Sequence, residues 1–222
     1  MSTLVAVPVK DLLNAKQRLV PLLSPAERAD LACAMLEDVL EALGRSRLGE
    51  VLVVTRDPAV ESLARRHGAA TLREETNRGH TEAVAHAQRT ALARGATRFL
   101  TIPGDVPCAT AMELTALAAA LPAAPGVVFV PSLSGFGTNA ALLEPPAALP
   151  LKFGEPSFDN HLVAARTAGL QPLVLRLPGI GLDIDAPEDL PLLLERGPAT
   201  RSAGLLISLG VPARLAGQRG GA

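Results

Sequence analysis

The sequence predicts an α/β domain built as a three-layer sandwich, with helices on both faces of a mostly parallel sheet. Short apolar runs alternate with helical patterns along the chain, and this order is typical of βαβ units. The runs are apolar on both faces, as expected for strands buried between two helical layers. They span residues 3–7, 50–55, 98–102, 126–130 and 172–175.

The first helix has a clear start signal. Ser24 is a favourable N-cap, Pro25 suits the first helical position, and Glu27 completes a capping box. Further helical patterns cover residues 58–66, 81–93, 111–120, 158–167 and 187–194.

Length and composition limit the classes of protein that remain. The chain has 222 residues, 48% of them apolar, and a formal net charge of -1. We expect one globular domain over residues 1–196 and a loosely packed C-terminal tail over residues 197–222. The absence of a Lys/Arg-rich run argues against nucleic-acid and membrane-surface partners.

Two further features predict a cytoplasmic protein. Cys33 and Cys108 fit neither a metal-ligand spacing nor a disulfide framework, as is common in a reducing compartment. The N-terminal apolar run has five residues and no basic leader, and no run of 18 apolar residues occurs.

In an open parallel sheet, ligands bind beyond the carboxyl ends of the strands, so we expect the functional residues in the segments that follow strands. After the first strand come Lys10, Lys16 and Arg18, which suit a nucleotide polyphosphate. Solvated loop cations are the alternative interpretation. The chain has neither a Walker A pattern nor G-x-G-x-x-G, which excludes the P-loop and dinucleotide-binding interpretations.

Three aspartates are candidate ligands for a hard cation such as Mg²⁺. Asp105 ends an apolar strand in LTIPGDVP, although an Asx turn is an alternative role. Asp183 and Asp185 in GLDIDAPEDL share one face if the segment is a strand. Asp185 can also cap the next helix, with Glu188 closing a capping box, which leaves Asp183 as the freer metal ligand.

A Gly/Pro-rich segment over residues 132–157 exceeds the usual loop length and predicts a functional loop. Thr138, Asn139 and Ser157, together with glycines such as Gly154, predict a neutral cradle for an anion. Ser157 is also the expected N-cap of the following helix, whose positive end would face a phosphate. A simple connection held to the core by its phenylalanines is the alternative.

The sequence lacks a Ser/His/Asp or Cys/His arrangement, and its four histidines lack metal-ligand spacing. We therefore expect a reaction that needs little acid–base help. Attack of a phosphate on the α-phosphorus of a nucleotide fits, because the protein need only align the reactants and neutralise charge with Mg²⁺, Lys and Arg.

Several motifs together resemble one known family, the CofC/FbiD guanylyltransferases, which act on small phosphorylated carboxylic acids in the biosynthesis of coenzyme F(420). The resemblance runs from Thr3 to Leu194, and the combination of GTNA with KFGEPSF is specific. The motifs, in chain order, are PVKDLLNAKQRL, LTIPGDVP, SGFGTNAALL, LKFGEPSFDNHL and GLDIDAPEDL.

The resemblance implies a GT-A-like nucleotidyltransferase fold, GTP as donor, Mg²⁺ as cofactor and release of pyrophosphate. By motif it assigns acceptor binding to Thr138, Gly154 and Ser157. It assigns metal binding to Asp105 and one aspartate of the DID pair. With the cations noted above, the predicted site comprises Lys16 and Asp105 as catalytic residues, Lys10, Lys16 and Arg18 for the nucleotide, and Asp105, Asp183 and Asp185 for the metal.

One departure leaves the acceptor open. The family often has Gly-Leu-Asn where this chain has Gly79-His80-Thr81, so phosphoenolpyruvate, 2-phospho-L-lactate and 3-phospho-D-glycerate all remain candidates. A nucleotidyltransferase for a molybdopterin or sugar phosphate is an alternative, as is a non-catalytic nucleotide-sensing module. Retention of Asp105 and Asp183 argues against the sensing module. A homodimer, and hand-over of the labile product to the next enzyme, complete the expected partners.

Overall fold

The computed structural model describes residues 2–10, 12, 15–74 and 78–219 of the chain. Within these residues one sheet of seven strands has the order β3-β2-β1-β4-β6-β5-β7. Strand β6 is antiparallel to both of its neighbours, and the other pairs are parallel. The strands are β1 (Thr3–Pro8), β2 (Glu50–Thr55), β3 (Ala70–Arg73), β4 (Arg98–Thr101), β5 (Gly126–Pro131), β6 (Thr138–Glu144) and β7 (Leu173–Val174).

Helices cover both faces of this sheet. One face packs against α1 (Pro25–Ser46), α2 (Pro58–Arg66) and α4 (Ala111–Ala119). The other packs against α3 (His80–Ala93) and α5 (Ser157–Thr167). The chain ends with α6 (Leu190–Arg196), α7 (Arg201–Ser208) and α8 (Val211–Arg219). The predicted three-layer α/β class is confirmed.

The central strand β1 shows why the apolar runs were informative. Val5 and Val7 lie in the core cluster of one face, whereas Leu4 and Ala6 lie in that of the other. Successive side chains of a strand point to opposite faces, so a strand between two helical layers must be apolar at every position.

Strand β6 corrects the prediction of one long loop over residues 132–157. Residues 138–144 pair with β4 and β5 in the middle of the sheet, and all but the last are buried. Their sequence, TNAALLE, contains Ala and Leu in place of the β-branched residues that favour strands, so local propensity gave little signal. Strand β3 was missed as well.

The predicted helix caps have mixed outcomes. The capping box of α1 is confirmed, because the Ser24 hydroxyl accepts from the Glu27 N–H and the Glu27 carboxylate accepts from the Ser24 N–H. The prediction that Ser157 caps α5 is wrong. Pro156 occupies the N-cap position, and the Ser157 hydroxyl instead accepts from the Thr138 N–H at 3.0 Å.

The C-terminal segment is not the loose tail that its composition suggested. Ala203, Leu206 and Val211 are fully buried and pack with α1 in a third core cluster. The Asp38 carboxylate of α1 accepts from the N–H groups of the first two residues of α7 and from the Ser202 hydroxyl. This helix consists largely of small residues and leucines, and its amphipathic pattern was missed in the sequence. Residues 220–222 lie outside the described residues.

Replacing Asp38 by Ala should lower the free energy of unfolding by about 2–3 kcal/mol, because two backbone N–H groups and a hydroxyl lose their acceptor in a buried site. Urea denaturation measures the loss. The matched control is Glu41→Ala on the same helix, which breaks only half-exposed ion pairs and should cost less than about 1 kcal/mol. Equal losses for the two variants would contradict the packing of α7 on α1.

Candidate active site

A cavity of about 480 Å³ opens beyond the carboxyl ends of β1 and β4. Ligands of parallel α/β sheets bind at this position. Residues that follow the two strands form its walls, together with part of α1 and the start of α3. The polar and charged residues among them are Lys10, Lys16, His80, Asp105 and Asp185.

Lys16 is the centre of this cavity. Its Nζ lies 2.6 Å from Asp105 Oδ2 and 2.7 Å from Asp185 Oδ1, and 8% of its side chain is exposed. Burial alone would lower the lysine pKa, but the attraction of the two carboxylates outweighs burial and raises the pKa above its ordinary value. Lys16 is therefore a charged ammonium that joins two separate segments of the chain.

Arg28 of α1 holds the segment that carries Lys16. Its buried guanidinium donates from Nε to the Ala15 carbonyl oxygen and from a terminal nitrogen to the Leu23 carbonyl oxygen. Lys16 itself has φ 54°, in the left-handed region. Sequence reasoning missed Arg28, although an arginine directly after a capping glutamate was a visible signal.

Asp105 and Asp185 are fixed by the backbone around them. The Ile184 N–H donates to the Asp105 carbonyl oxygen, which ties the two segments together. The Asp189 carboxylate accepts from the N–H groups of Asp185 and Ala186. The expected capping role of Asp185, with Glu188 closing the box, is therefore wrong, and the Asp185 carboxylate is free to contact Lys16.

Asp183 points to a different neighbour from Asp185, because residues 183–186 are not a strand. Its Oδ1 accepts from the Asn139 side-chain amide at 3.0 Å. Burial raises the pKa of Asp183, and the like charges of Asp105 and Asp185 act in the same direction. The expectation that the DID carboxylates share one face is thus corrected.

A second cavity of about 230 Å³ adjoins the first and shares His80, Pro103 and Asp105 with it. The three predicted acceptor residues all line this smaller cavity, together with Asp183. Gly154 has φ +119°, a conformation that L side chains rarely adopt. The structure thus brings together Thr138, Gly154 and Ser157.

The polar groups that line the smaller cavity form hydrogen bonds with other groups of the protein. Thr138 donates its N–H to the Ser157 hydroxyl, and its Oγ1 lies 2.9 Å from Nδ1 of His161. The Asn139 amide nitrogen donates to the Ile180 and Gly181 carbonyl oxygens as well as to Asp183. The prediction of Asn139 as a ligand donor is therefore wrong, because its amide hydrogens hold the 180–183 segment.

His80 stands between the two cavities. Its ring packs edge-on against Phe153 with a centroid distance of 4.4 Å, and its nitrogens have no hydrogen-bond partner within the described part of the chain. Burial lowers the pKa of His80 to about 4, so the ring is neutral at pH 7. In the sequence, this position departs from the Gly-Leu-Asn that is common in the family, but the sequence indicated no role for the histidine.

The predicted nucleotide-binding cations do not all reach the site. Lys10 lines the larger cavity beside Lys16. The Arg18 side chain is exposed and lies outside the walls of both cavities. Asp11, Leu13 and Asn14 of the same motif lie outside the described residues, as does Asn77, which precedes the His80 position.

Known structures with this architecture define the class. A putative nucleotide-diphospho-sugar transferase from Desulfovibrio desulfuricans superimposes with a TM-score of 0.77 at 17% identity and covers 97% of both chains. The 4-diphosphocytidyl-2C-methyl-D-erythritol synthase superimposes with a TM-score of 0.61 at 14% identity, over 88% of this chain and 98% of that one. The chain has the nucleotidyltransferase fold, as predicted.

Sequence relatives narrow this class. A family model described as guanylyl transferase CofC like matches residues 3–218. The phosphoenolpyruvate guanylyltransferase of Rubrobacter xylanophilus is 43% identical over 89% of this chain and 96% of its own length. The 3-phospho-D-glycerate guanylyltransferase of Colwellia psychrerythraea is 34% identical over 87% and 91%. The chain belongs to the CofC-like guanylyl transferase family, and its prediction as an enzyme of this class is confirmed.

None of the helices in the described part of the chain combines the length and the apolar character needed to cross a membrane.

The buried imidazole of His161 predicts a pH dependence of stability. Burial lowers its pKa to about 4, whereas the unfolded chain titrates near 6.5. The unfolded state therefore binds more protons between these pH values, and stability is lost as the pH falls through that window. The loss from this group between pH 7 and pH 5 should be about 2 kcal/mol.

Urea unfolding of the wild type and of His161→Gln at both pH values isolates this contribution. The stability advantage of the wild type should shrink on acidification by that amount. An unchanged advantage would show that His161 is not held neutral.

Proposed function

We propose that this protein transfers GMP from GTP to a small phosphorylated three-carbon acid with release of pyrophosphate, as a step in coenzyme F(420) biosynthesis. The observation that carries the proposal is the meeting of two cavities at Asp105, one large and lined by lysines, the other small and lined by hydroxyl groups. The names of the relatives described above support the donor and the class of acceptor.

The larger cavity is assigned to GTP. Its volume of about 480 Å³ falls within the range of about 300–1,000 Å³ that is usual for small-molecule sites. The Lys16 ammonium, held by Asp105 and Asp185, would contact the phosphates, and Lys10 at the cavity wall would add positive charge. We assign both lysines to charge neutralisation of the triphosphate.

The smaller cavity is assigned to the acceptor. Its volume of about 230 Å³ suits a three-carbon acid and leaves little room for a molybdopterin. An oxygen of the acceptor phosphate would attack the α-phosphorus of GTP while the bond to pyrophosphate breaks. A phosphomonoester has a second pKa of about 6, so the nucleophile is already an anion at pH 7 and needs no protein base.

Phosphoenolpyruvate is the first acceptor to test. The relatives from Rubrobacter xylanophilus and Sphaerobacter thermophilus, at 43% and 40% identity, carry this acid in their names. The relative named for 3-phospho-D-glycerate is more distant, at 34% identity.

The residues at the junction of the cavities fit Mg²⁺. Asp105 Oδ1 is buried and has no hydrogen-bond partner among the described residues, which is costly unless a ligand satisfies it. Asp183 lines the smaller cavity together with Asp105. No group of three or more His, Cys, Asp or Glu side chains is arranged as a metal site in the described part of the chain. Mg²⁺ commonly uses one or two carboxylates together with substrate phosphates, however.

We therefore assign Asp105 and Asp183 as the residues that would hold Mg²⁺, and Asp185 as the residue that orients Lys16. Bound there, the ion would supply charge neutralisation for the phosphates. Lys16 and the smaller cavity would position the two substrates against each other.

Pyrophosphate release with each of the four nucleoside triphosphates tests the donor. We expect turnover with GTP and Mg²⁺ only when a phosphorylated three-carbon acid is present, and most rapidly with phosphoenolpyruvate. The control reactions omit the acceptor or supply the unphosphorylated acid. Similar rates with all four nucleotides, or release without an acceptor, would contradict the proposal.

Asp105→Asn removes charge from the junction with almost no change in volume, so turnover should fall by at least about 100-fold, equivalent to about 2.7 kcal/mol. The stabilisation of the folded state by GTP with Mg²⁺ in a thermal melt should also weaken. Asp159→Asn, an exposed carboxylate in the first turn of α5, is the matched control and should stay within twofold of the wild type. If Asp105→Asn also retains wild-type turnover, Asp105 has only a structural role, as a turn residue and as a partner of Lys16.

A further inference from the structure

His161 lies directly behind the smaller cavity and is almost completely buried, with 1% of the residue exposed. Its ring stacks on Phe129 at a centroid distance of 5.3 Å and meets Phe153 edge-on at 5.1 Å. Both ring nitrogens are hydrogen-bonded. The Lys152 backbone N–H donates to Nε2 at 3.0 Å, and Nδ1 lies 2.9 Å from Thr138 Oγ1.

These two contacts determine where the ring proton lies. A backbone N–H can only donate, so Nε2 of His161 must accept and carries no hydrogen. A neutral imidazole has one proton, which must then be on Nδ1, and Nδ1 donates to Thr138 Oγ1. The burial that lowers the pKa of His161 to about 4 agrees with a neutral ring at pH 7.

The direction of this hydrogen bond determines what Thr138 offers to a ligand. Because its oxygen accepts from His161, its own hydroxyl hydrogen is left to point into the smaller cavity. Ser157 is held in the same way, since its oxygen accepts from the Thr138 N–H. Both hydroxyls therefore present hydrogens to the cavity, which suits an anionic ligand.

We propose that His161 is a positioning residue that, through its Nδ1–H group, fixes the Thr138 hydroxyl as a hydrogen-bond donor to the anionic group of the acceptor. The ligand chemistry rests on the function proposed above, whereas the proton position rests on the two hydrogen bonds alone. His161 does not touch the substrate, and its effect passes through Thr138.

The proton position can be measured without any turnover. Nitrogen-15 NMR of the ring nitrogens at pH 7 should show a protonated Nδ1 and an unprotonated Nε2 for His161. The signal is assigned by its loss in His161→Asn. A protonated Nε2 would overturn the proposal, and so would an imidazolium. If the tautomer is as expected but the wild type has no acceptor-dependent turnover, the proposed reaction fails and the role of His161 in orienting Thr138 stands.

Two amide variants separate positioning of Thr138 from support of the backbone. His161→Asn places an amide nitrogen near the position of Nδ1 and can still donate to Thr138. His161→Gln places its amide near the position of Nε2 and can still accept from Lys152. We expect the Michaelis constant for phosphoenolpyruvate to rise about three- to tenfold in His161→Gln and less than twofold in His161→Asn, with that for GTP unchanged in both. Rescue by Gln and not by Asn would show that the ring only supports the Lys152 segment.

A double-mutant cycle with Thr138→Val completes the test. Thr138→Val should itself raise the Michaelis constant for phosphoenolpyruvate, and adding His161→Gln should then produce no further increase, because the hydroxyl through which His161 acts is absent. If the increases in this Michaelis constant in the two single variants multiply in the double variant, the proposal is overturned. A thermal melt of each variant gives the temperature range in which all four proteins are folded during the assays.

Discussion

The ion pairs of the buried Lys16 ammonium with Asp105 and Asp185 are the constraint on which the arrangement of the site depends. They join three segments that are distant in sequence, which follow β1, follow β4 and precede α6. A lysine that is 8% exposed would be costly to bury without its partners. Its burial therefore favours packing of the three segments against one another.

Polar groups that contact no ligand hold these segments in place. Arg28 binds two carbonyl oxygens of the segment that carries Lys16, and Asn139 binds two carbonyl oxygens beside Asp183. Asn139 belongs to β6, which was predicted as part of a loop, so a central strand of the sheet lines the smaller cavity. Preorganisation of this kind is what a reaction without acid–base chemistry requires, because alignment and charge supply most of the catalysis.

The sequence predicted features that a short stretch determines by itself. Strands β1 and β2 are apolar on both faces, and the capping box at Ser24 lies within four residues. The failures in side-chain roles concern choices between chemically equivalent partners. Asp185 and Asp189 can both accept backbone N–H groups, and Ser157 can either cap a helix or receive the Thr138 N–H. Only tertiary packing decides between them.

Packing also determined the roles of His161, which nothing in the local sequence signals, and of Arg28, for which its place after a capping glutamate was the one local signal. Their partners lie 23 residues away for His161 and 13 for the more distant contact of Arg28. By contrast, the motif residues Thr138, Gly154 and Ser157, which the sequence grouped together, all line the same cavity. Their proposed role as acceptor ligands stays a prediction, and three-dimensional contacts decide which atoms of each residue face the cavity.

The larger cavity is lined by lysines and the smaller one by hydroxyl groups, and the carboxylates of the smaller cavity help to explain this difference. Asp105, Glu155 and Asp183 line the smaller cavity, so a lysine placed there would pair with them, as Lys16 pairs with its partners in the larger one. A hydroxyl group carries no charge for these carboxylates to neutralise. Its orientation can be fixed by a hydrogen bond that another protein group donates to its oxygen. His161 and the Thr138 N–H perform this function for Thr138 and Ser157. Under the proposed assignment, the lysines of the larger cavity face the triphosphate, and oriented neutral donors face the small acid beside it.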